Sequence, residues 1–587
     1  MGLSNGSKSI IRIEKWLGIN ENPAGDMSLL PGEAVVIKNF RITPEGYLAL
    51  RAGFTRLALP VPSPVRGMWS GVLGGVSVLL TVSGGTLWRI DGTGTSSVGT
   101  LADLDTYFLP FGGKVYLLNG DDYLSYNGVS LTPVEGYAPL VVTATPPAGG
   151  GAQNEEINLL TPKKRQLFSG NGSSVTYQLA ETYIASVYSV KVNGVSVTTF
   201  TVNPAAGTVQ FTTAPAAGVN NVEIAWSKAN NGRDAVTAMR FGAVFGGQND
   251  TRLFISGDGS NRVLHTGLAA GFPSGEYFPA SSFLDVDAEN TPVKALTRHY
   301  DRLLILKEDS SYVCSYNAET TAAGDYVAAF TVLPVNSKIG CNSMGNAVLI
   351  DNDPIAPSSG GLFRWRTTST RDERNATLIS GRVRETFASL DMDGLRTCDC
   401  EKTRELVLAS GRTMLIYSYA ADAFYVYELA GEETVTALAS HAGKLHIGLS
   451  DGRILFCDED SRDDDGEKIK AAFESGAYAF GSEWEEKSLR RFWLLMRPVT
   501  GGRLTVTLRA SRGGDSETVA AAGLFGFDHM SFAHLSCGTN RRPKTVRLPI
   551  KLRGFTHLKL LFSSDSDTAA ATVLACVFEL LASRGAR

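Results

Sequence analysis

The sequence predicts an all-β protein: a β-propeller of about seven blades with an inserted small β-sandwich and a C-terminal β-domain. Three observations predict it. One hairpin module recurs between residues 60 and 460 with a nearly constant internal offset. Gly accounts for 62 of 587 residues, which requires many turns. Charged residues are only 19% of the chain, against roughly 25% in ordinary domains, so few solvated helix faces are present.

The module is a polar turn, a Lys or Arg, a four-residue apolar strand, a second turn and a strand bearing aromatics. It is clearest at Lys114-Val115-Tyr116-Leu117-Leu118, Arg302-Leu303-Leu304-Ile305-Leu306 and Lys444-Leu445-His446-Ile447. From the basic residue to the first large residue of the next strand (Tyr123, Tyr312, Ile454) the offsets are 9, 10 and 10. A constant offset means a constant hairpin. Weaker copies end at Trp88 and Ile90, begin at Arg252, and sit at Leu362–Trp365 and at Thr413–Tyr417, which makes seven. Radial repetition of such hairpins leaves only short, protected strand edges. Residues 61–144 and 233–460 are assigned to the propeller, a length that suits about seven blades of the usual 40 to 45 residues.

Residues 145–232 interrupt the repeat. They open with the loop Thr145-Pro146-Pro147-Ala148-Gly149-Gly150-Gly151 and contain the alternating strands around Asn193-Gly194, a strong hairpin signal. They are read as an independent sandwich, bounded on the far side by Asn230-Asn231-Gly232. Asp458–Gly466 is an acidic run. It fails as an EF-hand loop because Ala472 stands where Glu is needed, so a solvated linker is the expectation, with an irregular Ca²⁺ site near Asp463 left open. Residues 470–587 read as a separate β-domain, with Leu504–Leu508 alternating at period 2.

The net charge of −4 hides an asymmetry. Residues 471–587 hold 16 Lys+Arg and 10 Asp+Glu, or +6, which leaves −10 on the first 470. Arg490, Arg491, Arg541 and Arg542 are the residues through which the basic end would face an acidic partner or solvent. Seven widely spread Cys imply no disulfide framework, and Cys398 and Cys400 are expected as neighbours on one strand face. The uncharged stretch Gly67–Trp88 contains six Gly and reads as strands between turns, with no membrane span. The amino terminus lacks the apolar core of a signal peptide.

No nucleophile, phosphate-loop or metal-ligand signature is present, and His441/His446 and His529/His534 are spaced for neither a helix nor a strand face. Ile255-Ser256-Gly257-Asp258-Gly259 begins like an Asp-box but does not continue as one. The expectation is therefore no enzyme, no cofactor, and no catalytic or metal residue; binding residues stay unassigned.

The opening of the chain, Gly18-Ile19-Asn20, Leu29-Leu30-Pro31-Gly32-Glu33-Ala34, Asn39-Phe40 and Gly46 through Leu48 and Arg51 to Gly53, resembles that of the bacteriophage tail nozzle, or tail tubular protein B, family of short-tailed phages. The insert strands Gly207–Phe211 and Val222–Trp226 are similar to a small β-module of phage tail and fibre proteins. The resemblance implies a structural virion protein, made in the host cytoplasm. It implies a hexameric ring at the distal tail that retains and then conducts double-stranded DNA. Charge and chain order then make the basic residues 470–587 the platform-like element that docks on an upstream ring of the tail, with the tail-docking segment 1–60 beside it. The alternative is a receptor-binding or adhesion protein, in which Trp88, Trp226 or Trp365 would stack on sugars.

Overall fold

The computed structural model describes residues 8–582 except 22–28, 58–62, 230–231, 248, 321–325, 367–374, 482, 513, 527–537 and 566–570. Five four-stranded antiparallel sheets follow one another along the chain, and two further four-stranded units are parts of larger sheets. Blade 1 is Val65–Leu73, Val76–Ser83, Thr86–Asp91 and Gly94–Thr100. Blades 2 to 6 occupy 107–133, 241–285, 293–336, 348–378 and 396–428, and blade 7 takes its first three strands from 435–458. All seven repeats legible in the sequence are blades.

Hydrophobic clusters join the blades in cyclic order. Val78, Leu80 and Leu87 of blade 1 pack on Val115 and Leu117 of blade 2, and Leu109 and Tyr116 of blade 2 pack on Leu253 and Ile255 of blade 3. Blade 3 meets blade 4 through Phe241, Phe254, Leu303 and Ile305, and Leu304 and Val313 meet Ala356 and Trp365 of blade 5. One large cluster runs through blades 5, 6 and 7, and Val65 and Leu79 of blade 1 meet Ala437 and Ile454 of blade 7. The second strand of a blade is covered on both faces. This is why Arg302–Lys307 is buried at every residue after the first and reads as an unbroken apolar run.

The ring is closed by a strand from outside the repeat. Gly53–Arg56 is the fourth strand of blade 7, with Phe456 opposite Thr55 and Asp458 opposite Gly53. Its hydrogen bonds remove the free edge that an open ring would expose. Local periodicity cannot reveal such a strand, and the sequence places it in the segment 1–60.

The rest of that segment shares two sheets with the carboxyl-terminal residues. Lys8–Ile13 lies along Thr572–Ala582 over its whole length, from Lys8 opposite Leu581 to Ile13 opposite Cys576. Glu33–Lys38 pairs with Ala471–Ser475, which continues through Leu558–Ser564 and Arg503–Ala510 to Asp515–Ala521. The two ends of the chain thus build one two-sheet body. Trp16 lies between its sheets, 5.1 Å from the Phe473 ring and 5.9 Å from Phe562, and the body's core is continuous with that of blades 5 to 7.

The acidic run is not a solvated linker. Asp463–Asp464 and Glu467–Lys468 form a hairpin beside the closing strand, and Asp464 is buried. Its carboxylate meets the Arg51 guanidinium at 2.6 and 2.8 Å. Arg51 also donates to Asn39 Oδ1 and to the carbonyls of Ala52 and Glu428. Asn39 has φ 56°, and its Nδ2 donates to the Lys470 carbonyl at 2.8 Å. Asp465 takes Arg56 and Arg453. These carboxylates pair with arginine guanidiniums, and no group of three or more His, Cys, Asp or Glu among the described residues could hold a metal ion.

The insert is a sandwich of a six-stranded and a three-stranded sheet around Phe168, Tyr177, Val209 and Trp226. At its Asn193-Gly194 turn both residues have positive φ, 51° and 78°, as a type I′ turn requires. The sandwich is entered before the Pro-Pro loop, because Leu140–Thr145 pairs in parallel with Lys163–Gly170. Residues 154–162 anchor it: Asn158 Nδ2 donates to the carbonyls of Tyr137 and Glu276, its Oδ1 accepts from Phe278, and Leu160 is buried between blades 2 and 3. A fragment covering residues 139–228 is predicted to unfold in one cooperative thermal step, whereas a fragment starting at residue 155 loses Val141 and Val142 from the core and with them that transition. Calorimetry checks both, and an unfolded 139–228 fragment contradicts the domain reading.

Candidate functional site

Two surfaces bring together residues that are distant in sequence. The first is the axial mouth of the propeller, a cavity of about 700 Å³ at the start of the inner strands. Arg66 and Met68–Trp69 reach it from blade 1, Tyr107 from blade 2, Arg240 and Lys294 from blades 3 and 4, and Arg396 from blade 6. The connection between blades 1 and 2 lies across this mouth, held by Asp122, whose carboxylate accepts the Ala102 N–H at 2.8 Å. Its Asp105 meets Arg396 at 2.5 Å, and Arg66 lies 3.6 Å from Asp103 and 3.7 Å from Asp105. The Arg396 Nε also donates to the Thr436 carbonyl, which ties blade 6 to blade 7. Arg240 and Lys294 carry no ion pair among the described residues, and burial pushes the Tyr107 phenol up to about 12. This arrangement ties the blade 1–2 connection to blades 1 and 6 across the mouth.

The second surface is the outer face of the sheet containing both chain ends. Residues directly opposite across an antiparallel pair share a face. Arg12, Val577, Trp493 and Arg547 are opposite one another in a row across four strands, and Ile10, Glu579 and Arg491 form the next row. Arg12, Arg491 and Arg547 are exposed. The one carboxylate in these rows, Glu579, lies 3.4 Å from both Lys8 and Arg491, which leaves the face basic. Of the arginines singled out in the sequence, Arg491 is on this face. Arg490 is exposed beside it at a bulge, and Arg541 and Arg542 are exposed ahead of the strand Lys544–Leu548. Lys8 and Arg12 were not legible as members of the patch, because nothing local links a terminal strand to residues near 577.

The other sequence candidates fall in structural roles. Cys398 and Cys400 lie on one face of the strand Arg396–Cys400, close enough for their thiols to interact. Trp226 and Trp365 are buried, which leaves them no face for a sugar, and Trp88 is half-buried with its indole N–H on the Ser83 carbonyl. Asp258 caps a turn by accepting from Ser260. His529 and His534 lie outside the described residues. His441 and His446 are brought 5.5 Å apart, ring to ring, by the hairpin between them, and His441 Nδ1 is 2.9 Å from the Ser70 hydroxyl.

No known family's sequence profile matches the chain, and no curated protein matches it. Among solved structures, the computationally designed Ika8 protein aligns with 69% of this chain and 99% of its own, at 8% identity and TM-score 0.33. YCF48 bound to D1 peptide aligns with 73% of this chain and 99% of its own, at 9% identity and TM-score 0.33. The class of the protein therefore comes from its own geometry, a seven-bladed propeller with a projecting sandwich and a two-sheet body made from both chain ends.

Burial pushes His446 and His265 down to about 4. The unfolded chain binds protons on these side chains from about pH 6.5 downward while the folded one does not, so stability is full above pH 6.5 and falls as pH drops towards 4. Each contributes up to roughly 3 kcal/mol to that loss. Urea midpoints between pH 7 and 4 check this: His446→Phe is predicted to flatten the profile, and an unchanged profile contradicts the assignment.

Proposed function

We propose that the protein is a structural component of a short-tailed phage tail, assembling as a ring, most simply a hexamer, around the channel through which the genome leaves. The observation that carries this reading is the basic outer face of the two-sheet body. A ring needs a heterologous interface that closes on itself. A basic face on a chain whose first 470 residues carry −10 gives each copy a complement for the next or for an adjoining tail protein. The residues behind the phage resemblance support it as well. Gly18, Asn39, Arg51 and Gly53 make contacts at the seam between body and propeller, and Gly32 packs inside the body against Lys15 and Tyr478, so they specify this architecture rather than a chemistry.

In this reading double-stranded DNA passes without sequence-specific contacts, in keeping with the net charge of −10 on the first 470 residues. The chain turns over no substrate, uses no cofactor, and resides in the virion after synthesis in the host cytoplasm. Negative-stain imaging of virions, with light scattering of the protein mixed with its tail components, tests it. A coaxial ring at the tail tip and a mass six times the 62.7 kDa of one chain are expected. Lateral fibres, or a monomer that no tail component recruits, would favour adhesion instead.

A further inference from the structure

Blade 4 departs from the other blades in one respect. Its outer hairpin, Ser311–Thr320 and Tyr326–Asn336, has strands of 10 and 11 residues, where the corresponding strands of blade 6 have 6 each. The extra length carries the hairpin past the end of blade 3, where Tyr316 lies so close to Gly247 that a Cβ there would fall 2.9 Å from the ring. Between this hairpin and blade 3 is an open cavity of about 790 Å³.

Its lining combines rings with an arginine that makes no ion pair among the described residues. Phe330 packs 4.9 Å from the His265 ring and 5.8 Å from Tyr316, and Tyr316 is 41% exposed. Arg252 enters from the second strand of blade 3; its Nη1 is buried and has no hydrogen-bond partner among the described residues. A buried guanidinium N–H left unpaired is costly, while Arg252 as a whole is only half-buried and lines the cavity; burial lowers its pKa. His265 is held neutral by burial, with its pKa near 4. Asp301, at the turn between the first two strands of blade 4, also lines the cavity and makes no ion pair among the described residues. Ser282 and Asn249 add hydrogen-bonding groups.

We propose that this cavity binds an acidic saccharide, a uronic-acid-type ring whose carboxylate is taken by Arg252. The planar guanidinium fork matches a carboxylate. The exposed part of Tyr316 gives an apolar C–H sugar face an aromatic surface, and Asp301, Asn249 and Ser282, which line the same cavity, supply groups for hydroxyls. A phosphate-bearing nucleotide fits less well, because Asp301 repels a dianion that one arginine would have to hold. The inference does not depend on the tail reading.

The test uses the full chain with D-glucuronate and its short oligomers, read by saturation-transfer NMR and by titration, with D-glucose as the neutral control. Glucuronate is expected to bind while glucose does not. Arg252→Met is expected to weaken binding at least about tenfold, the scale of one lost charge-assisted contact. Its thermal midpoint should be preserved, because the Nη1 it removes has no hydrogen-bond partner among the described residues. Should that variant fail to fold, Tyr316→Ala, at a partly exposed position, is expected to give the same loss. Absence of any glucuronate signal, binding indifferent to both substitutions, or tighter binding of uridine monophosphate than of glucuronate overturns the proposal.

Discussion

The buried ion pair between Arg51 and Asp464 fixes how the parts of this protein meet. Both side chains are almost wholly enclosed, at 1% and 2% exposure. The three guanidinium nitrogens donate five hydrogen bonds, to Asn39, Ala52, Glu428 and both oxygens of Asp464. Such a pair adds little net stability over an apolar replacement, but removing one partner leaves an uncompensated charge and costs about 3–5 kcal/mol. Its value is specificity of assembly. Arg51 precedes the strand that closes the ring, Asp464 follows blade 7, and Asn39 links the end of blade 6 to the strand leading into the body. Gly53 completes the junction, because a Cβ there would lie 2.1 Å from the Asp463 carbonyl.

The blades were legible in the sequence because their contacts are local. A hairpin such as 302–316 is specified by its own turns, and its doubly covered strand appears as an unbroken apolar run. The sandwich was legible for the same reason, through Asn193-Gly194. What was not legible is pairing across hundreds of residues. Gly53–Arg56 looks like any short segment until blade 7 supplies its partner, and Lys8–Ile13 gives no hint of Thr572–Ala582. The acidic run misled for a related reason: charge clusters are normally solvated, and the partners that bury Asp464 and engage Asp465 include Arg51 and Arg56, more than 400 residues away.

The candidate surfaces divide the same way. The arginines of the carboxyl-terminal residues were visible as a charge excess, but the face they form includes Arg12 and Lys8, which only the shared sheet brings in. At the axial mouth, Arg66, Asp105 and Arg396 belong to three separated stretches that radial symmetry draws together. The tryptophans named as platforms are strand residues, and Trp365 between blades 4 and 5 and Trp226 in the sandwich core have no outer face; Tyr316 differs because its hairpin is longer than those of the other blades.

A double-mutant cycle on Arg51→Met and Asp464→Leu tests most directly whether this pair joins propeller to body, with unfolding followed by fluorescence and by hydrogen exchange in Gly53–Arg56 and Lys8–Ile13. Each single variant is predicted to lose roughly 3–5 kcal/mol and the double variant much less than their sum, with protection of both strands falling together in the single variants. Additive losses, or a single variant that unprotects neither strand, would contradict the account.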